Sequence, residues 1–251
     1  MPDLRARLAS RNAHKLEELR AALPGWELRL LDPSEPYTAE LGAIYYENAL
    51  SKARFGRRVG EAGAWILGED SGIEVAALGG RPGIASARFA EDGVAQVLAE
   101  LRCASDRRAQ YVCELVALSP DGEELCGLGI LEGSIAGERR GAEGFGYDPI
   151  FVPAGEARTV AELGNAWKRE HSHRARAATA LIAKCRSLLR EAGDLLLVSA
   201  AVPPVHLGAK DDRVRHHVEP HEQERRGAEG LHGDHLGREA DEERQHLEGG
   251  L

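Results

Sequence analysis

At 251 residues, 43% hydrophobic and 29% charged, the chain can bury one sizeable core and has the composition of an ordinary soluble globular protein. A net charge of −9 argues against nonspecific nucleic-acid binding through a basic surface, and no apolar run approaches the roughly 18 residues needed to span a bilayer. The opening MPDLRARLAS lacks a signal-peptide core, which makes the cytoplasm the expected compartment, and Cys103, Cys113, Cys126 and Cys185 form no CxxC pair, so free thiols are expected rather than a zinc knuckle or a disulfide framework.

Leu4–Ala9 reads as a short strand. The polar turn Ser10-Arg11-Asn12-Ala13-His14-Lys15 follows it, and Leu16, Leu19 and Leu23 then recur at helical spacing until Pro24-Gly25. A helix N-terminus directly after a strand attracts phosphate through free amides and the positive dipole end. Ser10 and Asn12 can add hydrogen bonds there, and Lys15 a charge. The turn lacks the glycines and the GK[ST] ending of a Walker loop. Taken alone, helix capping by Ser10 or Asn12 is the simpler reading. Trp26–Leu31 reads as a second strand. Glu40–Gly56 contains a predicted helix bearing Glu47, Asn48 and Lys52, with Glu40 in a loop or cap before it; Glu47 and Lys52 are five apart and so are not an i,i+4 pair.

The stretch Gly68–Phe89 is the centre of the chain. A strand, Ala64–Leu67, runs into Glu69 and Asp70; Ser71-Gly72 reads as a polar turn and Ile73–Leu78 as a second apolar run. Paired carboxylates at the end of a buried strand need a cation or a proton-transfer task to compensate them. Gly79-Gly80-Arg81-Pro82-Gly83 suits a turn with close backbone approach, and Arg88 is a planar cation fit for phosphate or carboxylate. An N-capped turn between two strands is the plainer alternative.

Val94, Val97, Leu98 and Leu101 make a helical stripe. Ala109–Leu118, the turn Ser119–Gly122 and Glu124–Ile135 form an antiparallel pair, so the sheet is mixed. In the glycine-rich Gly141–Phe151, Phe145 or Tyr147 can stack on a base or simply pack on the core. A helix starts at Thr159–Leu163. The cationic cluster Trp167–Arg174 then leads into an alanine-rich helix reaching about Leu189, capped by Ser172, with Lys168, His173 and Arg174 aimed at an anion. His171 and His173 are a weak pair for a metal. Leu195–Val202 reads as a last strand or a helix end. Beyond it the charged, histidine-rich residues 205–251 cannot offset their ordering entropy, giving a domain at 1–204 and a disordered tail.

Four blocks, taken in order, resemble the inosine triphosphate pyrophosphatase (Ham1-like) family over about residues 4–190. Ser10–Lys15 is similar to its [ST]xNxxK loop, and Glu40–Ala53 to its ETGxTFxENAxxKA block. Glu69–Gly72, Leu78–Gly83 and Ser86–Arg88 are similar to DDSGLxVxxLGGxPGxxSAR, and Gly144–Pro149, Lys168 and Ser172–Arg174 to GFGYDP…K…SHR. The resemblance implies an elongated mixed α/β fold of two lobes with a nucleotide cleft between them. It implies Mg²⁺-dependent conversion of ITP, dITP and XTP to monophosphate and pyrophosphate by a homodimer without nucleic-acid or membrane partners. Asp70 would be the general base and a metal ligand, with Glu40 the second ligand and Glu47 its competitor. Ser10, Arg11, Asn12, Ala13, His14 and Lys15 would hold the triphosphate and Lys52 a phosphate. Ser71, Phe145, Gly146, Tyr147, Asp148, Lys168, His173 and Arg174 would recognise the nucleotide. Glu69 stands for the more usual Asp, Leu41 for Thr, Ile44-Tyr45 for Thr-Phe and Ala175 for Gly. A Maf-like pyrophosphatase of modified pyrimidine triphosphates and a nucleotide sensor without turnover are the alternatives.

Overall fold

In the computed structural model of the protein the described residues are 4–32, 36–37 and 40–201, with side chains described as far as Ser187. The tail expected at 205–251 and the boundary before it lie outside them. Strand β1 (Leu4–Leu8) leads into helix α1 (Ala13–Ala22), β2 (Trp26–Leu30), α2 (Tyr45–Val59) and β3 (Trp65–Val75). Two 3₁₀ turns, Ala76–Leu78 and Gly83–Arg88, precede α3 (Gly93–Glu100). The long hairpin β4 (Arg108–Leu118) and β5 (Glu124–Ile135), the short β6 (Phe151–Pro153), α4 (Val160–His171) and α5 (His173–Ala201) complete the chain. Among the described residues no helix is long and apolar enough to cross a membrane.

The six strands form one mixed sheet in the order β2-β1-β3-β4-β5-β6. β1 pairs parallel with β2 and β3, and the remaining pairs are antiparallel. Side chains alternate across a strand, and β4 shows which helix covers which face. Cys113, Leu115 and Ala117 join a core with Leu16 and Leu19 of α1 and Ala177 and Leu181 of α5. Val116 and Leu118 pack against Ala49, Leu50 and Ala53 of α2 instead. So α1 and α2 cover opposite faces, and the sheet order reverses at β1, where open α/β sheets form ligand crevices.

The long strands carry two large cores. One gathers β1, α1, the end of β4 and α5; the other gathers Ile73, Val75, Val97, Tyr111, Leu131 and Phe151 beneath α3. The two cores draw on different stretches of β4, Cys113–Ala117 in the first and Ala109–Tyr111 in the second. Glycines let the helices close on the sheet: a Cβ on Gly68 would overlap the Ala49 carbonyl oxygen, and one on Gly129 the His173 carbonyl oxygen.

Three expectations need correction. Ser71-Gly72 is not a turn, because β3 runs unbroken from Trp65 to Val75, hydrogen-bonded in register to β4 throughout Ile66–Val75. Its polar residues face a cleft rather than solvent at a bend, and Gly72 is needed because a side chain there would meet the Gly83 carbonyl and Ser86. The second apolar run is the end of this strand followed by the turn Ala76–Leu78, not a separate strand. Leu195 to Ala201 continues α5, which passes the expected stop near Leu189.

Candidate active site

β1 pairs with β3 only as far as Leu8 opposite Leu67, while β3 continues to Val75 with β4 on its other side. The cleft opens where β1 ends. Ala9 donates one last bond to the Leu67 carbonyl (2.7 Å), and the chain then turns into α1. Ser10 Oγ accepts from the Asn12 amide (3.1 Å), and Asn12 Oδ1 accepts from the amides of His14 (2.9 Å) and Lys15 (3.2 Å). Asn12 is therefore the helix cap, which the sequence left open between it and Ser10. Ala13 starts the helix. Arg11 turns away, its guanidinium 5.0 Å from the Tyr37 ring centre.

Because β3 is extended through Glu69 and Asp70, these neighbours project to opposite faces of the sheet. The two carboxylates therefore do not act as a joint pair. On the α2 face, Asp70 is nearly buried at 4% exposure. It accepts from Asn48 Nδ2 (3.1 Å) and Lys52 Nζ (2.8 Å). Lys52 also meets Glu40 Oε1 (2.5 Å) and donates to the Glu69 carbonyl (3.0 Å), and Arg88 holds the other Glu40 oxygen (2.8 Å). Burial raises the Asp70 pKa, and Lys52 and Asn48 offset that only in part. Burial would also raise Glu40, but Lys52 and Arg88 outweigh it and hold that carboxyl below its usual range. Glu47, the rival to Glu40, spends its carboxylate on the Ala43 amide (2.7 Å).

On the α1/α5 face a chain of alternating charges runs across the cleft. Lys15 meets Glu69 (2.6 Å), Glu69 meets Arg174 (3.0 Å), and Arg174 meets Glu18 (3.1 Å). Glu18 then meets Lys168 (2.6 Å), which meets Asp148 (2.7 Å). Arg174 also donates to Ser71 Oγ (2.7 Å). Burial alone would raise Glu69, yet Lys15, Arg174 and Lys52 prevail and keep it ionised far below the usual range. Burial raises Asp148 despite its bonds from Lys168 and the Phe145 amide. His173 is buried and stacked on Tyr111 at 4.5 Å, with no hydrogen-bond partner on Nδ1. Burial and Arg174 push its pKa well down, so the ring is neutral at pH 7.

Phe145 lies between these cations. Its ring stacks on His14 (5.2 Å), with Lys168 Nζ 4.3 Å and Arg174 5.3 Å from the ring centre. Gly144 and Gly146 on either side take positive φ, 81° and 61°. The ring borders both a cavity of about 160 Å³, lined by Ser71, Lys15, Tyr147, His173 and Arg174 among others, and a wider groove beside α1 and α4. Tyr147 fixes the loop by donating to the Ser86 carbonyl (3.0 Å).

The structure thus gathers Lys15, Ser71, Phe145, Gly146, Tyr147, Asp148, Lys168, His173 and Arg174 around one cavity with Asn12, and puts Glu40, Lys52 and Asp70 on the other face of β3. Sequence reasoning missed Glu18, Asn48 and Tyr111. Glu18 follows Lys15 by three on α1, a spacing that places both on one helical face. Nothing in sequence could reveal Tyr111 under His173, which depends on strand register. Among the described residues no three His, Cys, Asp or Glu side chains cluster as a metal site.

The sequence profile of the Ham1 family matches residues 6–184. A dITP/XTP pyrophosphatase of Symbiobacterium thermophilum is 43% identical over 199 residues, 76% of this chain and the whole of that protein. One from Mycobacterium bovis is 43% identical over 72% of this chain and 95% of its own length. Among solved structures, a Ham1 protein from Coxiella burnetii superposes with TM-score 0.63 at 35% identity, covering 75% of this chain and 99% of that one. The Staphylococcus aureus Ham1 protein gives TM-score 0.63 at 32% identity over 73% and 98%. With the profile spanning most of the described residues and the relatives covered almost end to end, the chain belongs to the Ham1 family.

Proposed function

We propose that this protein hydrolyses the non-standard purine nucleoside triphosphates ITP, dITP and XTP to the monophosphate and pyrophosphate, with Mg²⁺, as a cytoplasmic homodimer. The observation that carries the reading is Asp70, a buried carboxylate with raised pKa held by Asn48 and Lys52 where β1 ends and the capped N-terminus of α1 begins. The substrate class follows the relatives named dITP/XTP pyrophosphatase.

Mg²⁺ fits the donor set. Glu40 and Asp70 already turn oxygens toward one shared cation, Lys52 Nζ, at 2.5 and 2.8 Å. Bound between those carboxylates, the ion would supply Lewis acidity and align the phosphates. Asp70 orients the attacking water and takes its proton. The α1 amides, Ser10 and Lys15 bind the phosphates, and Lys52 neutralises charge developing on the leaving pyrophosphate. Phe145 stacks on the base, within a ring of cations formed by Lys168 and Arg174. Donors directed at the 6-oxo group reject adenine, because its amino group would leave a buried donor unpaired.

The test is pyrophosphate release with Mg²⁺ from ITP, XTP, dITP, GTP, ATP and dTTP side by side. Preference for the first three is expected. A preference for dTTP would place the protein with pyrimidine-specific enzymes, and tight ITP binding without release would make it a sensor. Asp70→Asn should keep ITP binding within about tenfold while turnover falls by orders of magnitude; undiminished turnover would remove Asp70 from the mechanism.

A further inference from the structure

The reaction as proposed leaves Glu69 without a task, although its side chain is 0% exposed and a buried charge is costly to retain. Its two oxygens are used separately. Oε2 meets Lys15 at 2.6 Å and Oε1 meets Arg174 Nε at 3.0 Å. Lys15 is on the first turn of α1, at the phosphate end of the cleft, whereas Arg174 opens α5 beneath Phe145, at the nucleoside end. One carboxylate therefore anchors cations delivered by two distant parts of the chain. The alternating chain of Lys15, Glu69, Arg174, Glu18, Lys168 and Asp148 contains three cations and three carboxylates and carries no net charge.

We propose that Glu69 is a positioning residue that ties Lys15 to Arg174 by its reach and, by its charge, limits how tightly the cleft holds pyrophosphate. The inference rests on the reading of the site as a pyrophosphatase and adds to it a residue that favours product release. Charge and reach can be separated by two substitutions. Glu69→Gln keeps the length and removes the charge, leaving the chain of side chains one positive charge in excess. Glu69→Asp, which restores the acid more usual in the family, keeps the charge and shortens the arm by one methylene, so that Lys15 and Arg174 must shift to keep both contacts.

Titration calorimetry of the full chain with pyrophosphate in metal-free buffer, beside kcat and KM on ITP, reads both properties. In Glu69→Gln, pyrophosphate should bind roughly tenfold tighter, with KM and kcat both lowered. In Glu69→Asp, pyrophosphate affinity should stay within about twofold while kcat falls roughly tenfold through misplacement of the two cations. A merely structural role would lower the melting temperature and leave pyrophosphate affinity unmoved. Gln-substituted protein that binds pyrophosphate no tighter than the parent overturns the charge role, and parental kcat in Glu69→Asp overturns the positioning role. If Glu69→Gln does not fold, Glu69→Asp decides alone by its kcat. If the parent releases no pyrophosphate from ITP, the functional reading fails, while the pyrophosphate titration still judges the charge.

Discussion

In the proposed reaction Asp70 must be ionised to accept a proton from water, and its pKa is raised chiefly by burial. The acid limb of kcat/KM should therefore lie above the ordinary aspartate value of about 3.9. The sign can be tested at a single neighbour. Asn48 Nδ2 stabilises the ionised form by donating to Asp70 Oδ2, so Asn48→Ala should move the limb to higher pH and lower the rate below it. A limb that stays in place in a folded Asn48→Ala protein would assign that titration to another group. What was legible at this scale is local chemistry: a helix cap at Ser10 or Asn12, and carboxylates at Glu69 and Asp70 that need cations to compensate them. Spacing puts Glu18 on the helical face of Lys15, but the contacts of Glu18 and Asn48 could not be read, because their partners lie far along the chain, Lys168 and Arg174 for one and Asp70 for the other.

At the scale of elements, the strands and helices followed their hydrophobic periods closely, and the main miss was β3. A run of Glu-Asp-Ser-Gly looks like a turn to any reading based on residue preference. It forms strand because β4 supplies a full ladder of partners and because the polar side chains find cations on both faces. Long-range pairing outweighed local preference. The same close packing makes a specific prediction on β5. Gly127 and Gly129 face α5, and a Cβ on Gly129 would overlap the His173 carbonyl oxygen. Gly129→Ala must push the start of α5, with His173 and Arg174, away from the sheet. It should destabilise the fold by about 1–3 kcal/mol in denaturant unfolding and lower activity more than that loss explains. An unchanged unfolding midpoint would mean that the helix moves without resistance.

At the scale of the molecule, the mixed sheet was legible from the antiparallel pair Ala109–Leu118 and Glu124–Ile135 beside strands that alternate with helical stripes, whereas composition gave one core and two lobes came only from the family resemblance. The cleft was expected from that resemblance alone, and the strand end that opens it, Leu8 opposite Leu67, could not be read from residue preference. One surface of the sheet bears on assembly. The β5 residues opposite Gly127 and Gly129 in the pleat are Leu128 and Ile130, 49% and 37% exposed, an apolar pair on the face that α2 leaves partly uncovered. Sedimentation velocity should give twice the 27.1 kDa of one chain. Leu128→Glu should reduce the mass toward one chain; a single-chain mass in the parent would rule out the homodimer.

The opposed projection of Glu69 and Asp70 has a further consequence for how such an enzyme can change. In the proposed reaction the water-activating Asp70 faces α2 on one side of the strand, and Glu69, with the cations that meet phosphate and nucleoside, faces α1 and α5 on the other. The two acids are sequence neighbours, about 3.8 Å apart from Cα to Cα, and Lys52 on the Asp70 side also donates to the Glu69 carbonyl. Insertion or deletion of one residue in β3 ahead of this link would exchange the two acids between faces and abolish both sets of contacts at once.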